Sequence, residues 1–383
     1  MTIKPVISHS LVRSSDATVA NWNERLIIDM VRREGGTTRR YITANTHLSQ
    51  QSVHRLVDGL VSRNFLHIGD SVINGRGQPS PLININAEAV YGVGVSINTD
   101  SVRLSIADLN CQEITNLKVD VDPANRDSAL PILRDAIYEC LETNDIRKDR
   151  VLGVGVAISG YRMGAKDVFV TPEPLETWSN TPLIELFETA FQMPVWVENN
   201  ATAGAIGESL KGAGFAHSCF AYLSFNSGFG CGVIYEGKPF CGGFNNSGEM
   251  GRLYTPDQML HRPALGELLL RLGKSGIHIE SIDKLYTNFN PNWHGVDEWI
   301  AEVKPQLNLA IRALRATVDP TAIVFGGEAP PVLKRLLIAA CDELDLDRYG
   351  REITLPAYIA SDLPGDPSTI GAALLPLKDC VLT

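Results

Sequence analysis

A short run of polar side chains lies between residues 49 and 55 of this 383-residue chain. The side-chain amide of Gln matches the hydrogen-bonding edge of adenine, and the guanidinium group of Arg matches that of guanine. The run therefore has the groups needed to contact bases in a DNA major groove, although the solvated face of an ordinary helix has the same composition. The candidate contacts are Ser49, Gln50, Gln51, Ser52, His54 and Arg55.

Three helices are predicted to position this run, over Asn21–Arg33, Arg39–Asn45 and Gln50–Arg63, with Ser49 as the N-cap of the third. Two short helices joined by a tight turn, after a longer one, form a helix-turn-helix. The apolar stripe of the first helix is Trp22, Leu26, Ile27, Met30 and Val31. That of the third is Val53, Leu56, Val57, Leu60 and Val61.

A predicted β-hairpin follows the third helix, with strands at Phe65–Ile68 and Pro81–Ile85. At its tip, Arg76 is flanked by Gly75 and Gly77. Glycine allows the backbone to approach a groove closely, and Arg can enter a narrow minor groove. This order of elements predicts a winged helix-turn-helix DNA-binding domain over residues 1–86, with Arg76 and Gly77 as wing contacts.

Charge is divided unequally along the chain. Its net charge is -10, yet residues 1–86 carry ten Lys and Arg against six Asp and Glu. A basic segment attached to an acidic body is typical of a DNA-contacting module on a body that phosphate would repel. Chance asymmetry is the alternative.

Composition indicates a soluble, cytoplasmic protein. With 44% hydrophobic residues the chain can bury sizeable cores, and its apolar runs are short and broken by glycine. No signal peptide or membrane partner is expected. The seven cysteines show no CxxC spacing, so we expect reduced thiols.

Residues 87–383 are predicted to form an α/β body with two lobes, one over roughly 87–200 plus the C-terminal helix, the other over 201–370. Strand–turn–strand units begin at Tyr91 and again at Cys219, where a Gly-rich turn spans Asn226–Gly232. Their recurrence is typical of a duplicated, actin-like (ribonuclease H-like) fold, which binds ligands between its lobes.

The body resembles the ROK family of repressors and sugar kinases in the order and spacing of several motifs. ROK repressors also carry an N-terminal winged helix with a Gly-Arg-Gly wing, so the resemblance covers nearly the whole chain. The matching segments are Trp178–Leu183, Met193–Val195, Glu198–Ala203, Asn245–Gly251, Gly326-Gly327 and Gly371-Ala372.

Two departures from the family imply that phosphoryl transfer is lost. Where ROK kinases have Asp-Ile-Gly-Gly-Thr, this chain has Ser96–Asp100, so both glycines and the first carboxylate are replaced. Asn200 stands at the position of the catalytic Asp. An amide cannot accept the proton of a sugar hydroxyl, and losing a general base costs about 10²–10⁴ in rate. We therefore expect no catalytic residues.

The family's zinc site is also altered, because Arg252 replaces its His and no Cys cluster follows. No metal and no cofactor are expected. The resemblance assigns effector contacts to Ser159, Gly160, Asn199, Asn200, Glu249, Arg252 and Glu267. Arg252 either pairs with Glu249 and closes the pocket, or selects an anionic ligand such as a sugar phosphate.

Together these features predict a transcriptional regulator that binds operator DNA as a homodimer or a dimer of dimers and responds to a small carbohydrate-like effector. Two alternatives stay open. One is a sugar kinase with an N-terminal DNA-binding module. The other is a regulator whose body binds a partner protein.

Overall fold

The structure is a computed structural model that describes residues 20–72, 80–164, 167–342, 346 and 348–383. Its N-terminal part contains three helices and a hairpin of antiparallel strands. Thr37 and Ile83 exchange both backbone hydrogen bonds, which adds an isolated β-bridge to the edge of the hairpin. The elements are α1 (Trp22–Arg33), α2 (Arg39–Ala44), α3 (Gln50–Ser62), β1 (Leu66–Val72) and β2 (Ser80–Ile85).

Each of these helices begins where a polar side chain caps it. Asn21 and Glu24 form a capping box at α1, Thr38 caps α2, and Ser49 caps α3. The predicted helices and strands are found within a few residues of their expected bounds. The wing tip with Arg76 and Gly77 lies outside the described residues.

The predicted stripe of α1 is wrong at Trp22, which is 52% exposed and stacks with Lys238 at 5.1 Å. The buried side of α1 instead includes Ile28, Asp29 and Arg32. This helix packs on two sides, against the helix-turn-helix and against the body. A single-stripe interpretation could not show the second contact.

The first half of the body is a five-stranded sheet in the order β5-β4-β3-β6-β9. Strands β4 and β5 are antiparallel to their neighbours, whereas β6 and β9 run parallel to β3. Its elements are β3 (Tyr91–Ile97), β4 (Val102–Asp108), β5 (Glu113–Val119), α4 (Arg126–Thr143), β6 (Val151–Ile158), β7 (Tyr161–Arg162), β8 (Phe169–Val170), α5 (Leu183–Phe191) and β9 (Val195–Asn199).

The second half repeats this topology in the order β12-β11-β10-β13-β14, which confirms the predicted duplication. Helix α6 (Asn200–Lys211) connects the halves. The elements after α6 are β10 (Phe220–Phe225), β11 (Phe229–Tyr235), β12 (Lys238–Pro239), α7 (Pro256–Met259), α8 (Leu265–Lys274), α9 (Ile282–Asn288), α10 (Val296–Thr317), β13 (Ala322–Gly327), α11 (Pro331–Ala339), β14 (Ala357–Ala360) and α12 (Pro367–Cys380).

Helix α12 returns to the first half and packs on β3 and β6, while α6 packs on β10 and β11. The two helices also touch each other closely. A Cβ at Gly371 would overlap the carbonyl oxygen of Ala203, so only glycine allows this approach. The halves are therefore joined through an α6–α12 crossing.

The predicted Gly-rich turn is shorter than expected, because β11 already begins at Phe229. Gly232 lies within this strand. A Cβ there would come within 2.5 Å of Ala201 O. This glycine allows α6 to pack on the strand, which removes it from any phosphate-binding turn.

No helix of the described residues is long and apolar enough to cross a membrane.

Candidate functional site

Helix α3 presents its polar face to solvent at the first two turns. Ser49 accepts a hydrogen bond from Ser52 N (3.2 Å), which caps the helix and leaves Ser52 half-buried. Val53, Val57 and Leu60 are buried beneath this face. Five of the predicted DNA contacts are exposed on one helix, namely Ser49, Gln50, Gln51, His54 and Arg55.

A cleft of about 330 Å³ lies between the two halves of the body, within the size range of small-molecule sites. Its walls are formed where parallel strands of both sheets end. Asn98 follows β3, Ser159 follows β6, Asn199 closes β9, Ser224 lies near the end of β10, and Glu328 follows β13. Ligands bind at such carboxyl edges in open α/β sheets.

A chain of buried hydrogen bonds crosses the base of the cleft. Asn200 Nδ2 donates to Asn98 Oδ1 (2.5 Å) and to Ser159 Oγ (3.0 Å). Asn98 Nδ2 in turn donates to Asp366 Oδ2 (2.9 Å). The same carboxylate accepts from Ser96 Oγ (2.8 Å). These polar groups tie the start of α6, the first hairpin and the start of α12 into one network.

Asp366 is the residue of this network that the sequence analysis did not find. It caps α12 by accepting from Ser368 N (3.0 Å) and is 2% exposed. Its position directly before Pro367 is a typical helix-start signal, which could have identified it as a cap. Its bonds to Ser96 and Asn98 connect positions 268 residues or more apart, and local sequence carries no sign of them.

Asn200 leaves one acceptor open in the cleft. Its Oδ1 is buried and has no hydrogen-bond partner in the described part of the chain. An unpaired buried acceptor costs about 1–3 kcal/mol, so a ligand hydroxyl that donates to it would be favoured. The amide takes part as a hydrogen-bonding group and has no basic site for proton abstraction.

Three further predicted contacts lie together beside Asn200. Asn199 Oδ1 accepts from Ala201 N (2.8 Å) as the N-cap of α6, and its Nδ2 donates to Gly160 O (2.5 Å). Ser159, Gly160 and Asn199 all line the cleft. Asn199 therefore has both a capping role and a place in the site.

Glu249 also lines the cleft, and no hydrogen bond or ion pair of its carboxylate is found among the described residues. Burial raises the pKa of Glu249 to about 7, and the nearby Arg252 and Arg162 offset part of this rise. At neutral pH the carboxyl group is close to half-ionised. It can accept hydrogen bonds from hydroxyls or donate one.

Arg252 and Glu267 do not line the cleft. The guanidinium of Arg252 is exposed and lies over the Tyr161 ring at 5.6 Å, with no ion pair to Glu249. Glu267 faces Arg262 at 3.6 Å. Arg252 therefore does not close the pocket by pairing with Glu249. Among the residues that the structure describes, no guanidinium lines the cleft where it could bind an anion.

Arg162 fixes the two halves of the body to each other at the rim of the cleft. Its backbone N donates to Asn246 Oδ1 (2.8 Å), and Asn246 Nδ2 donates back to Arg162 O (2.8 Å). Its guanidinium pairs with Glu198 at 2.8 Å and donates to Val197 O. This contact holds the loop before Glu249 against the first half, and nothing in the local sequence around Arg162 predicted it.

The opposite ends of α6 and α12 reach the N-terminal helices. From α1, Arg32 donates to Leu210 O (2.9 Å) at the end of α6, and Arg25 donates to Lys378 O (2.5 Å) near the end of α12. Asp29 accepts from Thr383 Oγ1 (2.7 Å) and pairs with Arg32 (2.8 Å). Both helices thus extend from the cleft to α1, over ~18 and ~21 Å at 1.5 Å per residue.

Comparison with known proteins finds a family match within the body. The ROK family profile matches residues 92–263. The chain is 26% identical over 232 residues to the xylose repressor of Bacillus spizizenii, a match that spans 60% of each protein.

Solved structures confirm the fold over nearly the whole chain. A ROK family transcriptional regulator described as a homologue of the Escherichia coli Mlc protein has a TM-score of 0.68 at 18% identity, covering 93% of this chain and 97% of the other. A ROK family glucokinase from Streptomyces griseus, in complex with glucose and AMPPNP, has a TM-score of 0.59 at 21% identity and covers 74% of this chain and 98% of its own. At sequence identities of 18% and 21%, the structural similarity establishes the fold alone.

Proposed function

Residues 92–263 form a ROK family domain, and from this premise we propose that the protein is a transcriptional regulator that responds to a carbohydrate-like effector. Residues 1–86 bind operator DNA, and the cleft within residues 87–383 binds the effector. The similarity to a xylose repressor supports this proposal.

The observation that carries the proposal is the continuity of α6 and α12. Each helix begins at the hydrogen-bond network of the cleft and ends against α1 of the winged helix. A ligand that changes the cleft would move both helices relative to α1. Because two half-sites demand a fixed spacing of recognition helices, such a movement changes DNA affinity in a homodimer.

The cleft's chemistry supports effector binding without catalysis. Asn200, Glu249 and Asn199 offer hydrogen-bonding groups to hydroxyls, while Asn200 supplies no general base. Asp100 and Glu328 line the same cleft and would oppose a bound triphosphate. We therefore propose a cytoplasmic, non-catalytic regulator.

Footprinting on the DNA around the protein's own gene, with and without a panel of sugars, tests the proposal. We expect protection of a two-fold symmetric site, and a change in that protection with one class of sugar. A parallel phosphorylation assay with ATP and the same sugars serves as the counter-test. Robust turnover without binding to duplex DNA at low ionic strength would establish a kinase instead.

A response to no sugar, with intact operator binding, would favour the regulator controlled by a partner protein. Thermal-shift measurements separate this outcome from a weak sugar effect, because a ligand that binds the folded state stabilises it by RT ln(1 + [L]/Kd), so the midpoint of unfolding rises with ligand concentration.

A further inference from the structure

The charged side chains that line the cleft are all acidic. Asp100, Glu249 and Glu328 are its charged lining residues, and no Lys, Arg or His lines it among the described residues. Arg162, which is near Glu249, pairs with Glu198. Arg252 lies over the ring of Tyr161, which lines the cleft, so its guanidinium is at the rim and is not itself a lining group. Sugar phosphates and sugar acids are therefore disfavoured.

Glu328 is a buried carboxyl group at the wall of the cleft that has no partner of its own among the described residues. Its residue is 7% exposed, it lines the cleft, and no hydrogen bond or ion pair of its carboxylate is found among the described residues. Its backbone N is held by Asn226 Oδ1 (3.0 Å), which fixes the residue at the end of β13. A buried carboxyl group in a protein is normally paired.

The surroundings of Glu328 favour a cation. Burial, together with Asp366 and Asp100, raises the pKa of Glu328 well above its usual range, and the nearby Arg103 offsets only part of this rise. The guanidinium of Arg103 is paired with Asp283 (3.3 Å). Asp366 is already saturated by Ser96, Asn98 and Ser368. A positively charged donor placed between Glu328 and Asp100 would relieve both the repulsion and the missing hydrogen bond.

This acidic end is continuous with the end that offers partners to hydroxyls. Asn98 connects them, because it accepts from Asn200 on one side and donates to Asp366 on the other. Asp100 comes from the first half of the body and Glu328 from the second. One ligand that contacts both would hold the halves together.

We propose that the effector carries a protonated amine as well as hydroxyls, and that the amine binds at Glu328 and Asp100 while hydroxyls bind at Asn200 and Glu249. The chemical class is an amino sugar or an oligosaccharide with a free amine. This inference rests on the proposed function, since it names the class of effector for the same cleft.

Isothermal titration of the full chain with matched probes tests the inference. The pairs are glucosamine with glucose, galactosamine with galactose, and deacetylated chitobiose with cellobiose, at a pH where the amines are protonated. We expect one amine to bind at least about tenfold more tightly than its neutral partner, since a hydrogen bond between charged groups contributes about 1.5–3 kcal/mol. N-acetylglucosamine, whose nitrogen is uncharged, should not show this gain in affinity over the neutral sugar.

Glu328→Gln should weaken binding of the amine about tenfold or more and leave the neutral partner within about threefold. Asp100→Asn, at an exposed position, gives a second variant if the buried change affects folding. Glu139→Gln on the exposed side of α4 is the matched control and should change neither.

Equal affinity within every pair, no binding of any amine, or an amine preference that survives in both variants would overturn the inference. Operator binding is measured on the same samples. A chain that binds operator DNA and responds only to neutral sugars refutes the amine and leaves the proposed function intact. A chain that binds the amine but no DNA refutes the proposed function.

Discussion

Glu249 is a buried carboxyl group whose environment opposes ionisation. Burial raises its pKa to about 7, from an ordinary value of 4.5, in spite of Arg252 and Arg162 nearby. The folded state therefore holds the proton over a pH range in which the unfolded chain has released it. Arg252 and Arg162 offset only part of the cost of burial, so the charged form of Glu249 destabilises the fold.

We predict that Glu249→Gln increases the free energy of unfolding at pH 8 and not at pH 4.5. The pKa of Glu249 is higher in the folded chain than in the unfolded chain. At low pH the carboxyl group is neutral in both states and costs no stability, whereas the loss in free energy of unfolding grows as the pH rises from 4.5 to 7. The gain at pH 8 should be about 1–3 kcal/mol. Urea unfolding at the two pH values measures it, and the same variant should lose its operator response to the effector.

Glu139→Gln, at an exposed position, is the control for this measurement. An equal effect of Glu249→Gln at both pH values would show that the Glu249 carboxyl group titrates normally. A full effector response in that variant would remove the residue from the site.

Residue types identified the polar side chains on the α3 face. The resemblance to the ROK family, rather than residue types alone, identified five of the residues that line the cleft, namely Ser159, Gly160, Asn199, Asn200 and Glu249. Neither identified Glu328 or Asp366. Glu328 follows two glycines and looks like a turn residue. Its importance comes from burial by a strand and loops far away in sequence.

Among the elements, α1 carries the contact between the winged helix and the body. Asp29 is 4% exposed and pairs with Arg32 (2.8 Å) and Arg33 (3.0 Å). Burial opposes the charge, yet the two guanidinium groups and Thr383 together lower the pKa of Asp29. The pairing therefore stabilises the fold at neutral pH and weakens as the pH falls below about 4.

We predict that Asp29→Asn destabilises the protein by about 3 kcal/mol at pH 7, because Arg32 is left buried without its partner charge. The effect should diminish in acid, where the native carboxylate is itself protonated. Chemical unfolding at pH 7 and near pH 3 measures this.

The same change should weaken the coupling between effector and operator, while a body that still binds effector shows that the cleft is intact. Asp135→Asn in α4 provides a matched control, because its ion pair with Arg134 is exposed. A coupling free energy unchanged by Asp29→Asn would contradict a role for α1 in transmission.

The sequence predicted α1 and α12 as helices, since apolar spacing and capping residues determine helix formation locally. Their mutual contacts were beyond such reasoning. Asp and Arg usually lie on the solvent-exposed face of a helix. Only the contacts with Thr383 and Leu210 show that Asp29 and Arg32 lie in a buried interface. The bounds of β11 were also wrong, because its glycines serve helix packing.

For the whole molecule, the separation of charge bears on the proposed binding to DNA. Residues 1–86 are basic and the rest is strongly acidic, so the body repels the phosphate backbone and favours one orientation of approach. Operator affinity should therefore depend steeply on salt concentration.

We predict that Arg76→Ala weakens DNA binding across all sequences and lowers the slope of log K against log salt by about 1. Arg55→Ala should instead cost about 1–3 kcal/mol at one base position and relax specificity there. Fluorescence anisotropy with operator and scrambled duplexes at several salt concentrations distinguishes them. Arg76→Ala affinity equal to that of the unmodified protein at matched salt would count against the wing.

The return of α12 to the first sheet has a consequence for how the molecule can be divided. Gly94 and Gly155 form a hollow in that sheet that the backbone of α12 fills, so a fragment ending near residue 200 would expose an uncovered apolar surface. The first lobe is complete only when a segment more than 150 residues downstream has been added. We expect slow, cooperative folding of the two lobes as a single unit, and aggregation of either lobe expressed by itself.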